Sequence, residues 1–124
     1  MKNRLRLKRA YDAVSKDDGF RILVDRLWPR GVSKEHAAFD LWAKEVTPST
    51  EIREEFHHIP TAFPKFKEKY LSELGNNPAV PEFIQTVYEH LKKGNVTFVY
   101  AAKDPVYNHV VILKEYVESY FPKD

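Results

Sequence analysis

Val96-Thr97-Phe98-Val99-Tyr100-Ala101 is apolar at nearly every position. Such a run fits a strand covered on both faces, as in a parallel sheet, better than a strand with one wet side. Upstream of it, Phe83, Ile84, Val87, Tyr88 and Leu91 fall on one helical stripe. Lys92 and Lys93 suit the negative end of that helix, and Gly94 suits a left-handed stop. Downstream, Asp104-Pro105 has the pattern of an N-cap and first position of a last helix, with Val110, Leu113, Val117 and Tyr120 on its apolar face. A helix, a buried strand and a further helix in succession are the unit of a layered α/β fold.

The rest of the chain extends that pattern. Residues 4–10 alternate apolar and basic, which predicts a strand with one wet face. Asp17-Asp18-Gly19 signals a turn, and residues 20–25, Phe-Arg-Ile-Leu-Val-Asp, predict a more buried strand. Ser33 caps a short helix, and Ser49, after Pro48, caps another over about 49–58 that breaks before Pro60. Phe63, Phe66, Tyr70 and Leu74 mark one face of a long helix ending at Gly75-Asn76-Asn77-Pro78. The expected fold is therefore three-layer α/β/α around a small, mostly parallel central sheet, formed by residues 1–124 as a single domain. The direction of the first two strands stays open, because a parallel return normally needs a dozen residues or more.

Ligands of such sheets collect outside the carboxyl ends of the strands, and two charged clusters are expected there. In the first, Asp25-Arg26-Leu27-Trp28-Pro29-Arg30-Gly31 follows the second strand directly. Charge at the end of a buried strand is costly unless paired or used. Arg26 and Arg30 carry planar forks that match carboxylate or phosphate. Asp25 is a candidate general base, or else the partner that braces an arginine. Arg21, out of phase with Ile22 and Val24, is expected on the opposite face, and Trp28 and Trp42 are expected in packing. In the second cluster, Asp104 and Asn108 fall four apart on the predicted last helix, and His109 can act as acid or base near neutral pH. Asn108 is a poor helix former and needs a hydrogen-bonding reason. Lys44, beside a capped helix start, completes the set of candidate substrate contacts with Arg26, Arg30, Asp104 and Asn108; Asp25 and His109 are the candidate catalytic pair.

Composition narrows the class. Hydrophobic residues make up 43%, enough for a core, and no apolar run approaches the roughly 18 residues of a membrane span. Met1-Lys2-Asn3-Arg4-Leu5-Arg6 lacks the apolar stretch of a secretory signal. The absence of cysteine excludes disulfides and thiolate chemistry and fits a cytoplasmic protein. Net charge is +2, but residues 1–34 hold 10 Lys and Arg against 4 Asp and Glu, whereas residues 35–124 hold 10 against 14. Arg4, Arg6 and Lys8 read first as solvated charges guarding a strand edge. Phosphate-loop, dinucleotide and zinc-protease motifs are missing, and adjacent His57-His58 have poor geometry for one metal. The expectation is no cofactor and no tightly bound metal.

Four stretches together resemble the DUF488 family, in its short YeaO-like branch: Leu7-Lys8-Arg9-Ala10-Tyr11-Asp12, Asp18 to Gly31, Leu41-Trp42-Ala43-Lys44 with Thr47-Pro48-Ser49, and Tyr100-Ala101-Ala102-Lys103-Asp104 with Asn108-His109. The resemblance spans nearly the whole chain and implies a single bacterial or archaeal α/β/α domain of open biochemical activity. A longer branch carries a Cys-His pair where this chain has Asn108-His109, so thiol chemistry does not carry over.

Three functions compete on this reading. The first is a small enzyme acting on an anionic, phosphate-bearing or nucleotide-like substrate, with Arg26 and Arg30 on the anion, Asp25 or His109 moving a proton and Asn108 orienting the substrate. The second is a nucleic-acid-binding or regulatory module using the basic first third. The third is a structural or partner-binding domain in which the clusters are braces. No membrane partner is expected, and the oligomeric state is open.

Overall fold

The computed structural model describes residues 3–122. Met1 and Lys2 of the basic N-terminal stretch lie outside them, as do Lys123 and Asp124. Four strands, β1 (Leu5–Arg9), β2 (Phe20–Leu23), β3 (Leu41–Trp42) and β4 (Val96–Tyr100), form one sheet in the order β1-β4-β2-β3. Every pairing is parallel. Five helices accompany it among the described residues: α1 (Lys34–Ala37), α2 (Thr50–Phe56), α3 (Phe63–Asn76), α4 (Val80–Leu91) and α5 (His109–Glu118). None is long and apolar enough to cross a membrane.

The open question of the first two strands has a geometric answer. Residues 10–19 are only ten, yet β1 and β2 run in the same direction. They are not neighbours, because β4 lies between them. Ten residues span at most about 33–36 Å extended, enough to return along a strand of about 17 Å and cross two strand spacings. The return is made without an α-helix, through a single 3-10 turn at Lys16–Asp18 capped by Ser15.

The two faces of the sheet are covered unequally. Leu5, Ile22, Val96, Phe98 and Tyr100 point into the main apolar cluster, where they meet Phe66, Tyr70, Phe83, Val87, Leu113 and Val117 from the long helices. The alternation of side chains puts Arg6, Lys8, Arg21 and Thr97 on the other face. There the cover is the 10–19 return and α1: Thr97 donates to the Asp18 carbonyl at 2.7 Å, and Arg21 Nη2 to the Ala37 carbonyl at 3.1 Å. Every residue of β4 is buried as a result.

Arg21 does lie on the opposite face, but inside rather than in water. Its guanidinium meets the Asp18 carboxylate at 2.6 Å, with Arg21 3% and Asp18 0% exposed. Lys8 reaches the same carboxylate at 3.0 Å and Arg6 approaches to 3.8 Å, so these two are not simply solvated edge charges. Burial alone would raise the Asp18 pKa, but the Ser15 N–H with Lys8 and Arg21 outweighs it and holds the carboxyl below its ordinary value. This ionic knot braces the amino end of the sheet, away from the site described next.

The last helix starts later than Asp104-Pro105 predicts. Asn108 is the N-cap of α5, accepting from Val110 and Val111 N–H. Asp104 instead closes a turn by accepting from Val106 and Tyr107 N–H. Asp104 and Asn108 therefore do not share a helix face; they are joined by Asn108 Nδ2 donating to the Asp104 carbonyl at 2.7 Å.

Candidate functional site

The carboxyl ends of β1, β2 and β4 open into a hollow of about 360 Å³. Its lining includes Tyr11 after β1, Asp25, Arg26 and Arg30 after β2, Ala101 and Ala102 after β4, and His109 at the start of α5. Arg53 and Phe56 of α2, His58 just beyond it and Phe66 of α3 complete the far wall.

The chain after β2 is held from several sides. Val24 N–H bonds the Val99 carbonyl at 3.0 Å, and Trp42 Nε1 donates to the Asp25 carbonyl at 2.7 Å. Trp28 Nε1 closes the turn on the Val32 carbonyl, and its ring packs edge-on against Trp42 and Phe39. Gly31, at φ 81°, supplies the left-handed residue that the turn requires. Asp25 and Arg30 thus stand on a braced loop.

Asp25 and His109 meet in the hollow. Asp25 Oδ2 accepts the Ala101 N–H at 2.8 Å, and Oδ1 lies 3.4 Å from His109 Nε2. That same Nε2 lies 2.6 Å from the Val24 carbonyl, which can only accept, so the proton sits on Nε2. Burial pushes the Asp25 carboxyl above its ordinary value, opposed by His109, the Ala101 N–H and Arg53. Burial pushes the His109 imidazole down, opposed chiefly by Asp25. Burial thus favours the neutral imidazole, whose Nδ1 has no protein hydrogen-bond partner among the described residues.

Of the predicted residues, Asp25, Arg26, Arg30 and His109 share this hollow. Three do not line it. Lys44 lies over the Trp42 ring at 4.7 Å, in a shallow groove that also contains Arg26. Asp104 is committed to its turn, and Asn108 is fully buried as the α5 cap. Their polar atoms serve the backbone, so an orienting role for Asn108 has no geometric basis.

Sequence reasoning missed Tyr11, Arg53 and His58. Arg53 has the pattern of any solvated helical charge, and it is indeed exposed on α2, whose buried residues are Ile52 and Phe56. His57 and His58 both adopt left-handed backbone, φ 47° and 56°. Such conformations cost of order 1–3 kcal/mol each for a residue with a side chain and cluster at functional sites. The double turn puts His58 into the wall, against Phe56. Among the described residues no group of three or more His, Asp or Glu is placed to hold a metal.

Fold and hollow define a small all-parallel α/β protein with an arginine-lined cavity at the carboxyl edge of its sheet. A family model described as "Inactive DUF488-N3 subclade" matches residues 4–124, and the chain belongs to the DUF488 family. It is 41% identical over 115 residues to the uncharacterized protein YeaO of Escherichia coli, covering 93% of this chain and 97% of that relative. It is 36% identical over 112 residues to Mb3100c of Mycobacterium bovis and Rv3073c of Mycobacterium tuberculosis, covering 90% of this chain and 92% of each. No solved structure matches it.

Proposed function

We propose that this protein binds a small phosphate-bearing anion in the hollow, in the cytoplasm, without breaking or making covalent bonds. One observation carries the reading. Arg26, Arg30 and Arg53 line a single cavity, and among the described residues none has a carboxylate within 4 Å. These exposed arginines share one cavity, and an anion held there by their forks gains charge-assisted hydrogen bonds.

Two facts support binding without chemistry. The residue before His109 is a buried capping asparagine, which offers no nucleophile. The matching family description also reads "inactive". A second reading, acid–base catalysis on the bound anion, draws on the 3.4 Å contact between Asp25 and His109.

Calorimetric titration with orthophosphate, ribose 5-phosphate and adenosine 5′-monophosphate tests the proposal. At least one should bind, more weakly at high salt, and Arg30→Ala should weaken it about tenfold or more, the loss of a charged hydrogen bond of about 1.5–3 kcal/mol. Silence of the whole panel, or an Arg30→Ala protein indistinguishable from the parent, would refute it. Conversion of a bound ester by the parent, lost in Asp25→Asn, would move the assignment to the catalytic reading. Steeply salt-dependent retention of polynucleotide, with no small anion bound, would favour the nucleic-acid module.

A further inference from the structure

Tyr11 is the least explained residue of the hollow. It is 49% exposed, yet it is held from two directions. Its hydroxyl donates to the Arg30 carbonyl at 3.0 Å. One face of its ring lies over Arg9, whose Cζ is 5.2 Å from the centroid. Arg9 is itself fixed, with Nε donating to the Ala102 carbonyl at 2.9 Å and Nη2 to the Ala101 carbonyl at 3.2 Å. Tyr11 lines the hollow and Arg9 does not. The ring face away from Arg9 has no aromatic or cationic partner among the described residues.

A surface tyrosine with nothing to bind normally samples several rotamers. This one is pinned before any ligand arrives, so little ordering entropy remains to be lost on stacking. Its bond to the Arg30 carbonyl also ties it to the loop after β2 that carries Arg26 and Arg30. Leu27 lines the same hollow and is 70% exposed, so the cavity carries exposed apolar surface as well as arginines. Flat apolar area adjoining a cluster of guanidinium groups matches a molecule that joins a planar ring to a phosphate.

We infer that the hollow takes a mononucleotide, with its phosphate on Arg26, Arg30 and Arg53 and its base stacked on the free face of Tyr11. This rests on the anion-binding reading above and adds the ring to it. A single nucleotide fits better than a strand. The cations converge on one cavity of about 360 Å³, near the lower end of the roughly 300–1,000 Å³ of small-ligand pockets, rather than following a groove. The net charge of only +2 also lacks the strong basic excess of a nucleic-acid binder.

The test is calorimetric titration of the full chain with adenosine 5′-monophosphate, ribose 5-phosphate and a single-stranded adenine decamer, repeated on Tyr11→Ala and Tyr11→Phe. Stacking of one base on an aromatic ring is worth roughly ten- to a hundredfold in affinity. The mononucleotide should bind at least tenfold tighter than the sugar phosphate. Tyr11→Ala should erase most of that advantage while leaving ribose 5-phosphate affinity within about twofold, and Tyr11→Phe, which keeps the ring, should retain most of it. Equal affinity for mononucleotide and sugar phosphate, or equal weakening of both by Tyr11→Ala, would overturn the inference and leave the anion site standing. So would a decamer that binds more tightly than the mononucleotide. Failure of all three probes would remove both readings.

Discussion

His109 is held between a carbonyl and a carboxylate, and its protonation is the most direct local readout of the site. Burial keeps its pKa below the ordinary 6.5, while the Asp25 charge pulls it back up. Asp25→Asn should therefore lower the imidazole midpoint further in a proton NMR titration; an unchanged or higher midpoint would show that the two side chains do not interact in solution. The same shift links to stability. Below pH 6.5 the unfolded chain binds a proton that the folded imidazole resists, so the residue's contribution is complete above 6.5 and declines as the pH falls toward the folded value. Thermal melts taken downward from pH 8 should fall off below about 6.5, and a His109→Gln protein should lack that part of the decline.

At the level of elements, the junction between the 10–19 return and β4 is set by one glycine. Gly19 has φ 63° and ψ −130°, and a Cβ there would sit 2.0 Å from the Asn95 carbonyl oxygen, the acceptor of the Phe20 N–H. Gly19→Ala should cost about 1–3 kcal/mol from backbone strain alone, with the collision added, read as a lower midpoint in urea denaturation. Asp17-Asp18-Gly19 is legible as a turn, as are the two buried strands and the helices with long stripes, because each carries its period or its breaker locally. The start of α5 is not. Asp104 and Asn108 are both good caps, four residues apart, and the choice is made by burial of Asn108 against the rest of the molecule. Lys44 fails as a candidate for a similar reason: sequence shows a lysine near a helix start, but not the indole beneath it. Tyr11, Arg53 and His58 look like surface residues in one dimension, and only the meeting of three strand ends and α2 brings them to Asp25.

For the molecule as a whole, the strand order was the least readable property. Nothing local in Leu5–Arg9 or Phe20–Leu23 says that both wait for Val96–Tyr100 to come between them. The consequence concerns the order in which a ribosome delivers the parts. Among the described residues β1 has no strand partner but β4, and without β4 the only partner of β2 is the two-residue β3. A truncated chain of residues 1–95 should show helix in far-ultraviolet circular dichroism but no protected strand amides in hydrogen exchange; strong protection of Ile22 and Leu23 in that fragment would contradict this. During synthesis β1 and β2 must then emerge before the strand that joins them, leaving unpaired strand edges available to chaperones, or to neighbouring copies, until β4 is translated.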